Sequence, residues 1–162
     1  MKTYSRVYAK IDLDAIAYNM EQMKDQIGKE ARLIAVIKTD GYGHGAVPIA
    51  RMFETFSYVW GYAVACIEEA VSLRKEGIKK PILVLGCVFP DQYETMIKNE
   101  IRAAVYTKEM AEGMSDEAVR QGKNAYFHTL SRREWYTSSY CFSNSSLYFG
   151  SKSFLHRSKT LS

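Results

Sequence analysis

Lys38, Tyr42 and His44, side chains able to bind or transfer charge, stand close together in AVIKTDGYGHG, residues 35 to 45. Lys38 directly follows the apolar run Leu33 to Ile37. A lysine at the carboxyl end of a buried strand stands where parallel α/β folds place reactive groups, because the strand fixes the backbone while the following loops build a pocket. Partial burial of a lysine favours its neutral amine, and a neutral amine can attack an aldehyde to form an imine. The alternative at this position is a lysine that merely ends a strand and points to solvent. Gly41, Gly43 and Gly45 permit a tight turn and close approach of backbone to a ligand. The pattern is neither GxGxxG nor a Walker loop, which gives nucleotide binding little support. The Tyr42 hydroxyl can donate to a phosphate oxygen, or its ring can pack beneath the loop. His44, between glycines at a helix start, reads as structural rather than as a general base.

The elements that must position these residues are legible as repeated βα units. Asp12 can cap a helix in which Leu13, Ile16, Ala17, Met20, Met23 and Ile27 share a face, with Gly28 just past its end. The continuous apolar run from Leu33 to Ile37 suits a strand buried on both faces. Further strands are predicted at 58–65, 82–85, 102–106 and 124–128, with helices near 46–54, 67–76, 91–98 and 108–121. Gly77 and Gly122 act as helix stops. The fold class is therefore α/β with about five parallel strands, which fits either a doubly wound sheet or an unfinished (β/α)8 barrel.

A chain of 162 residues, 47% hydrophobic and 25% charged, is large enough for one ordinary globular core. It has no apolar run of the length that spans a bilayer and no signal-peptide pattern at its start, so membrane insertion and secretion are not expected. Its three cysteines, Cys66, Cys87 and Cys141, are far apart and form no CxxC pair. That argues against a disulfide framework or a zinc site and points to a reducing cytoplasm. Residues 129–162 carry the whole net charge of +4, through Arg132, Arg133, Lys152, Arg157 and Lys159 against Glu134, and hold ten of the fourteen serines. No helical or strand period, helix cap or hairpin turn stands out there, so an irregular tail is expected after residue 128.

The motif AVIKTDGYGHG resembles the cofactor-lysine signature of the alanine racemase family, whose usual form reads AVVKANAYGHG. The entry RVYAKIDLDAIAYNM and the stretch AVACIEEAVSLRKEGIKKPILVLG are similar to that family's opening and to its next two βα units. The resemblance runs from about residue 6 to residue 128 and implies the first part of a TIM-type (β/α)8 barrel. It implies further that Lys38 is the catalytic base joined to pyridoxal 5'-phosphate, that Tyr42 binds the cofactor phosphate, and that Leu85 lines the cofactor. The implied activity is isomerisation of L-alanine and D-alanine, supplying D-alanine for peptidoglycan in the cytoplasm. The family is a homodimer in which a tyrosine from the partner's C-terminal β domain delivers the second proton. Pyridoxal-phosphate homeostasis proteins share the barrel and a lysine but typically lack YGHG.

After NAYFH the family continues with a segment resembling KIDTGMGRIG, whereas this chain reads TLSRREWYTSS. The roles of that segment's arginine are not carried over to Arg132 or Arg133. The division expected is a partial racemase barrel at 1–128 and an unrelated tail at 129–162, from a shifted reading frame or disordered. On this reading the chain is a truncated fragment, inactive alone. The alternatives are a non-catalytic pyridoxal-phosphate-binding fragment, a homeostasis-type protein, or a nucleic-acid-binding module using the basic, aromatic tail.

Overall fold

A computed structural model describes residues 7–129, 138–143 and 146–150. Helix α1 (Leu13–Gln26) begins where the Asp12 side chain accepts the Ala15 N–H at 3.0 Å. Of its apolar face, Met20 is buried, Leu13 and Ile16 are partly buried, and Met23 remains exposed. The chain then alternates: β1 (Leu33–Val36), a short turn α2 (Lys38–Tyr42), α3 (Ala46–Phe53), β2 (Val59–Val64), α4 (Ile67–Lys75) and β3 (Ile82–Val84). A 3-10 turn (Pro90–Gln92), α5 (Tyr93–Lys98), β4 (Ile101–Val105), α6 (Lys108–Gln121) and β5 (Ala125–Thr129) follow. Each predicted strand and helix is present, with bounds within two residues of those expected.

One sheet runs in the order β1 to β5 with every neighbouring pair parallel. Alternation gives each strand two faces. On one face Ala35, Ile37, Tyr62, Val64, Ile82, Val84, Ile101, Ala103 and Val105 join a buried core with Phe53, Leu73, Met96, Ile97 and Met114 from the helices. On the other, Ile34, Val36, Leu85 and Tyr106 stay substantially exposed. The helices thus cover one side of the parallel sheet, as in the first part of a barrel and unlike a doubly wound sheet.

Past β5 the structure corrects the expectation of a wholly irregular tail. Residues Ser138–Ser143 form β6, antiparallel to β5, and Ser146–Gly150 form β7, antiparallel to β6. The sequences SSYCFS and SLYFG carry Tyr, Phe and Leu, residue types that suit a pleated surface, and the edge of β5 offers unpaired backbone groups. The charged residues of that segment, Arg132, Arg133, Glu134, Lys152, Arg157 and Lys159, lie outside the described residues.

Candidate active site

Lys38 follows the last residues of β1 and is half-buried. Buried Ile37, whose backbone (φ −124°, ψ 27°) has left the extended conformation, separates it from the strand. Among the described residues its ammonium makes no hydrogen bond or ion pair, and its Nζ lies 6.0 Å from the centroid of the Tyr42 ring. Tyr42 itself is 58% exposed, so it does not pack beneath the loop. Leu85 directly follows β3, two strands from Lys38, and is also partly exposed. Two strand spacings separate their backbones by about 10 Å, which leaves room for a planar ring between them.

The turn that carries Lys38 and Tyr42 has unusual backbone. Thr39 (φ 55°, ψ 50°), Asp40 (φ 50°, ψ 48°), Gly41 (φ 63°, ψ 36°) and Tyr42 (φ 56°) all adopt left-handed conformations. Such a conformation costs an L-residue about 1–2 kcal/mol, so three non-glycine residues within four positions need strong local restraint. Hydrogen bonds supply it. The Gly41 N–H donates to the Ile37 carbonyl at 2.9 Å, and the Gly45 N–H donates to the Asp40 carbonyl at 2.9 Å. The Asp40 carboxylate accepts the Ala46 N–H at 2.8 Å, fastening the turn to the start of α3. His44 Nδ1 lies 3.0 Å from the Gly41 carbonyl oxygen, a structural role. At Gly41 a Cβ would meet the Ile49 side chain at 3.2 Å as well as an unfavourable φ, so glycine is favoured there on both counts.

Two further residues belong to the site and were not among the sequence candidates. Glu69, in the first turn of α4, accepts the Thr39 N–H at 2.7 Å through one carboxylate oxygen and the Ala65 N–H at 2.8 Å through the other. Tyr106, just after β4, donates its hydroxyl to the Leu85 carbonyl at 2.8 Å. The only available sequence signal for Glu69 was an acid at a helix start, and Glu68 beside it gave the same signal. A cavity of about 310 Å3 lies behind the turn, lined by residues that include Ile37, Asp40, Val64, Glu69 and Leu73. A wider groove of about 460 Å3 runs between α4 and the Pro90–Gln92 turn, lined by Ile67, Lys75 and Asp91 rather than by any of the candidate residues.

Residues 11–129 match the family described as alanine racemase, N-terminal domain. The chain belongs to the alanine racemase family. Alanine racemase of Symbiobacterium thermophilum is 41% identical over 121 residues, covering 75% of this chain and 32% of that protein. For alanine racemase of Clostridium tetani the identity is 43% over 122 residues, with 75% and 31% covered. Among solved structures, alanine racemase of Clostridium difficile 630 in complex with cycloserine superposes with a TM-score of 0.75 at 36% identity, covering 79% of this chain and 34% of that one. The chain therefore spans about a third of the length of the alanine racemases it matches. The family depends on pyridoxal phosphate. The groups found around Lys38 suit that cofactor: an uncommitted amine for its aldehyde, an exposed tyrosine hydroxyl for an anionic oxygen, and an apolar side chain for a ring face.

Proposed function

We propose that this chain forms the cofactor-binding part of a pyridoxal-phosphate-dependent alanine racemase, with Lys38 as the amine that holds the cofactor. The observation that carries the reading is the half-buried Lys38 at the end of β1, without an ion-pair partner among the described residues and beside the exposed Tyr42. When bound, pyridoxal phosphate supplies an electron sink that makes the α-proton of an amino acid removable. Lys38 Nζ would hold the cofactor and would carry the α-proton of the substrate on one face. The Tyr42 hydroxyl donates to a phosphate oxygen, and the Leu85 side chain covers part of the ring.

The same reading takes alanine as substrate, D-alanine for peptidoglycan as the product's use, a cytoplasmic setting and a homodimer. It is supported by the names of the relatives, and none of the described helices is long and apolar enough to cross a membrane. It divides the chain after residue 128, supported by the end of the family match at 129 and by the change from parallel to antiparallel pairing beyond β5.

Borohydride trapping tests the reading. Incubation with pyridoxal phosphate followed by reduction should leave the added mass on the peptide containing Lys38, and Lys38→Ala should abolish it. Tyr42→Phe should raise the cofactor concentration for half-trapping about three- to tenfold, the value of one hydrogen bond to a charged oxygen. Equal trapping in Lys38→Ala would sink the proposal.

A further inference from the structure

We infer that Glu69 is a positioning residue for Lys38, its carboxylate standing in for a rung of the sheet exactly where β1 and β2 part. The inference rests on the proposed role of Lys38 as the cofactor-holding amine.

The parallel ladder of β1 and β2 ends in sequence at Val36 opposite Ala63, and the Ile37 N–H still donates to the Ala63 carbonyl at 2.9 Å. Beyond it the strands diverge: one chain enters the left-handed turn, the other heads into α4. The next donors on the two sides are the N–H groups of Thr39 and Ala65. Both are donors, so they cannot pair with each other. The Glu69 carboxylate lies between them and accepts both, at 2.7 and 2.8 Å.

The Thr39 N–H belongs to the same rigid peptide plane as the Lys38 carbonyl. Holding that N–H fixes the rotation of this plane and therefore ψ of Lys38, from which the direction of its side chain follows. The other half of the clasp is equally well anchored. The Ala65 carbonyl accepts the Gly86 N–H at 3.1 Å, and the Val64 carbonyl accepts the Leu85 N–H at 2.9 Å. Gly86 approaches so closely that a Cβ there would stand 2.5 Å from the Ala65 oxygen. One carboxylate thus ties the backbone of Lys38 to that of Leu85 through the end of β2. Glu68, its neighbour in the same helical turn, is exposed and takes no part in this clasp.

The test compares Glu69→Ala, Glu69→Gln and the control Glu68→Gln in the full chain. Amide hydrogen exchange reads the clasp directly: protection of Thr39 and Ala65 should be lost in Glu69→Ala and reduced in Glu69→Gln, which keeps one acceptor oxygen, with the amides of Leu83 and Ala103 unchanged. Trapping on Lys38 should need about tenfold more pyridoxal phosphate in Glu69→Ala, with a smaller shift in Glu69→Gln and none in Glu68→Gln. The visible ellipticity of the bound chromophore, per trapped lysine at saturation, should also change, since it reports orientation and not merely occupancy. Wild-type protection, trapping and ellipticity in the Glu69 variants would overturn the inference. Failure of the wild-type chain to trap cofactor on Lys38 would instead remove the proposed function, and this inference with it. Should Glu69→Ala not fold, Glu69→Gln against Glu68→Gln decides by the same three readings.

Discussion

The carboxyl rim of the parallel sheet is fastened by carboxylates, the amino rim chiefly by cations. At the carboxyl rim, carboxylates hold backbone N–H groups: Asp40 takes that of Ala46, and Glu69 takes those of Thr39 and Ala65. At the amino rim, cations hold carbonyls, and the Glu54 carboxylate accepts the N–H groups of Lys79 and Lys80. Lys80 Nζ donates to the carbonyls of Phe53, Phe56 and Val59 at 2.8, 2.5 and 2.7 Å. The Arg74 guanidinium donates to those of Ile78, Lys80, Asn99 and Glu100. The division follows from the βα repeat, in which helices run against the strands and so turn their N–H ends to one rim and their carbonyl ends to the other.

What separates the rims in function is the state of their lysines. Lys80 commits its three protons to three carbonyls, while Lys38 commits none among the described residues. The amino rim has one non-glycine residue with positive φ, Glu100, against three in the turn after Lys38. One rim is saturated and holds the fold together; the other carries strain and keeps an amine available, the pattern expected of a functional site on a stable scaffold.

Removing the saturated cation should have the largest effect. Lys80→Ala leaves three carbonyls without their donor and should cost about 3 kcal/mol in urea unfolding. In the folded fraction, trapping on Lys38 should keep its wild-type cofactor dependence; a selective loss of trapping without loss of stability would erase the distinction between the rims. Gly41→Val attacks the strained rim, adding an unfavourable φ and a contact with Ile49, and should cost about 1–2 kcal/mol. Unlike Lys80→Ala, it should also impair trapping out of proportion to its stability loss.

The smallest effect concerns the layer between the rims. His128 is buried, its ring edge-on to Trp60 at 6.0 Å. Burial, reinforced by the Arg102 charge, holds its pKa below the usual 6.5. Between that depressed value and 6.5 the unfolded chain binds more protons, so stability rises with pH through this window and falls on acidification. Thermal midpoints followed from about pH 7.5 down to about pH 5 should drop less steeply in His128→Gln than in the wild type. Parallel curves would place the acid sensitivity in other groups.

The strands and helices were legible because their signals are local. The run from Leu33 to Ile37, the Asp12 cap and the Gly122 stop each depend on a few adjacent residues, as does the placement of Lys38 at a strand end. Three features were not legible. The left-handed turn reads as an ordinary glycine loop, because no residue type at Thr39, Asp40 or Tyr42 signals positive φ, and one of the bonds that hold it comes from Glu69, far along the chain. Glu69 meets Thr39 across thirty positions, a distance over which helical periodicity says nothing. The β6–β7 pair has no strong turn signal and depends on the edge that β5 provides.

That pair also determines the polarity of the whole sheet. β6 reverses the direction of β5 and β7 reverses it again, so β7 points the same way as β1. The sheet's two outermost strands therefore share one heading. A ring made by bringing those margins together would have a parallel seam, with the opposed pairings confined to the two flanks of β6.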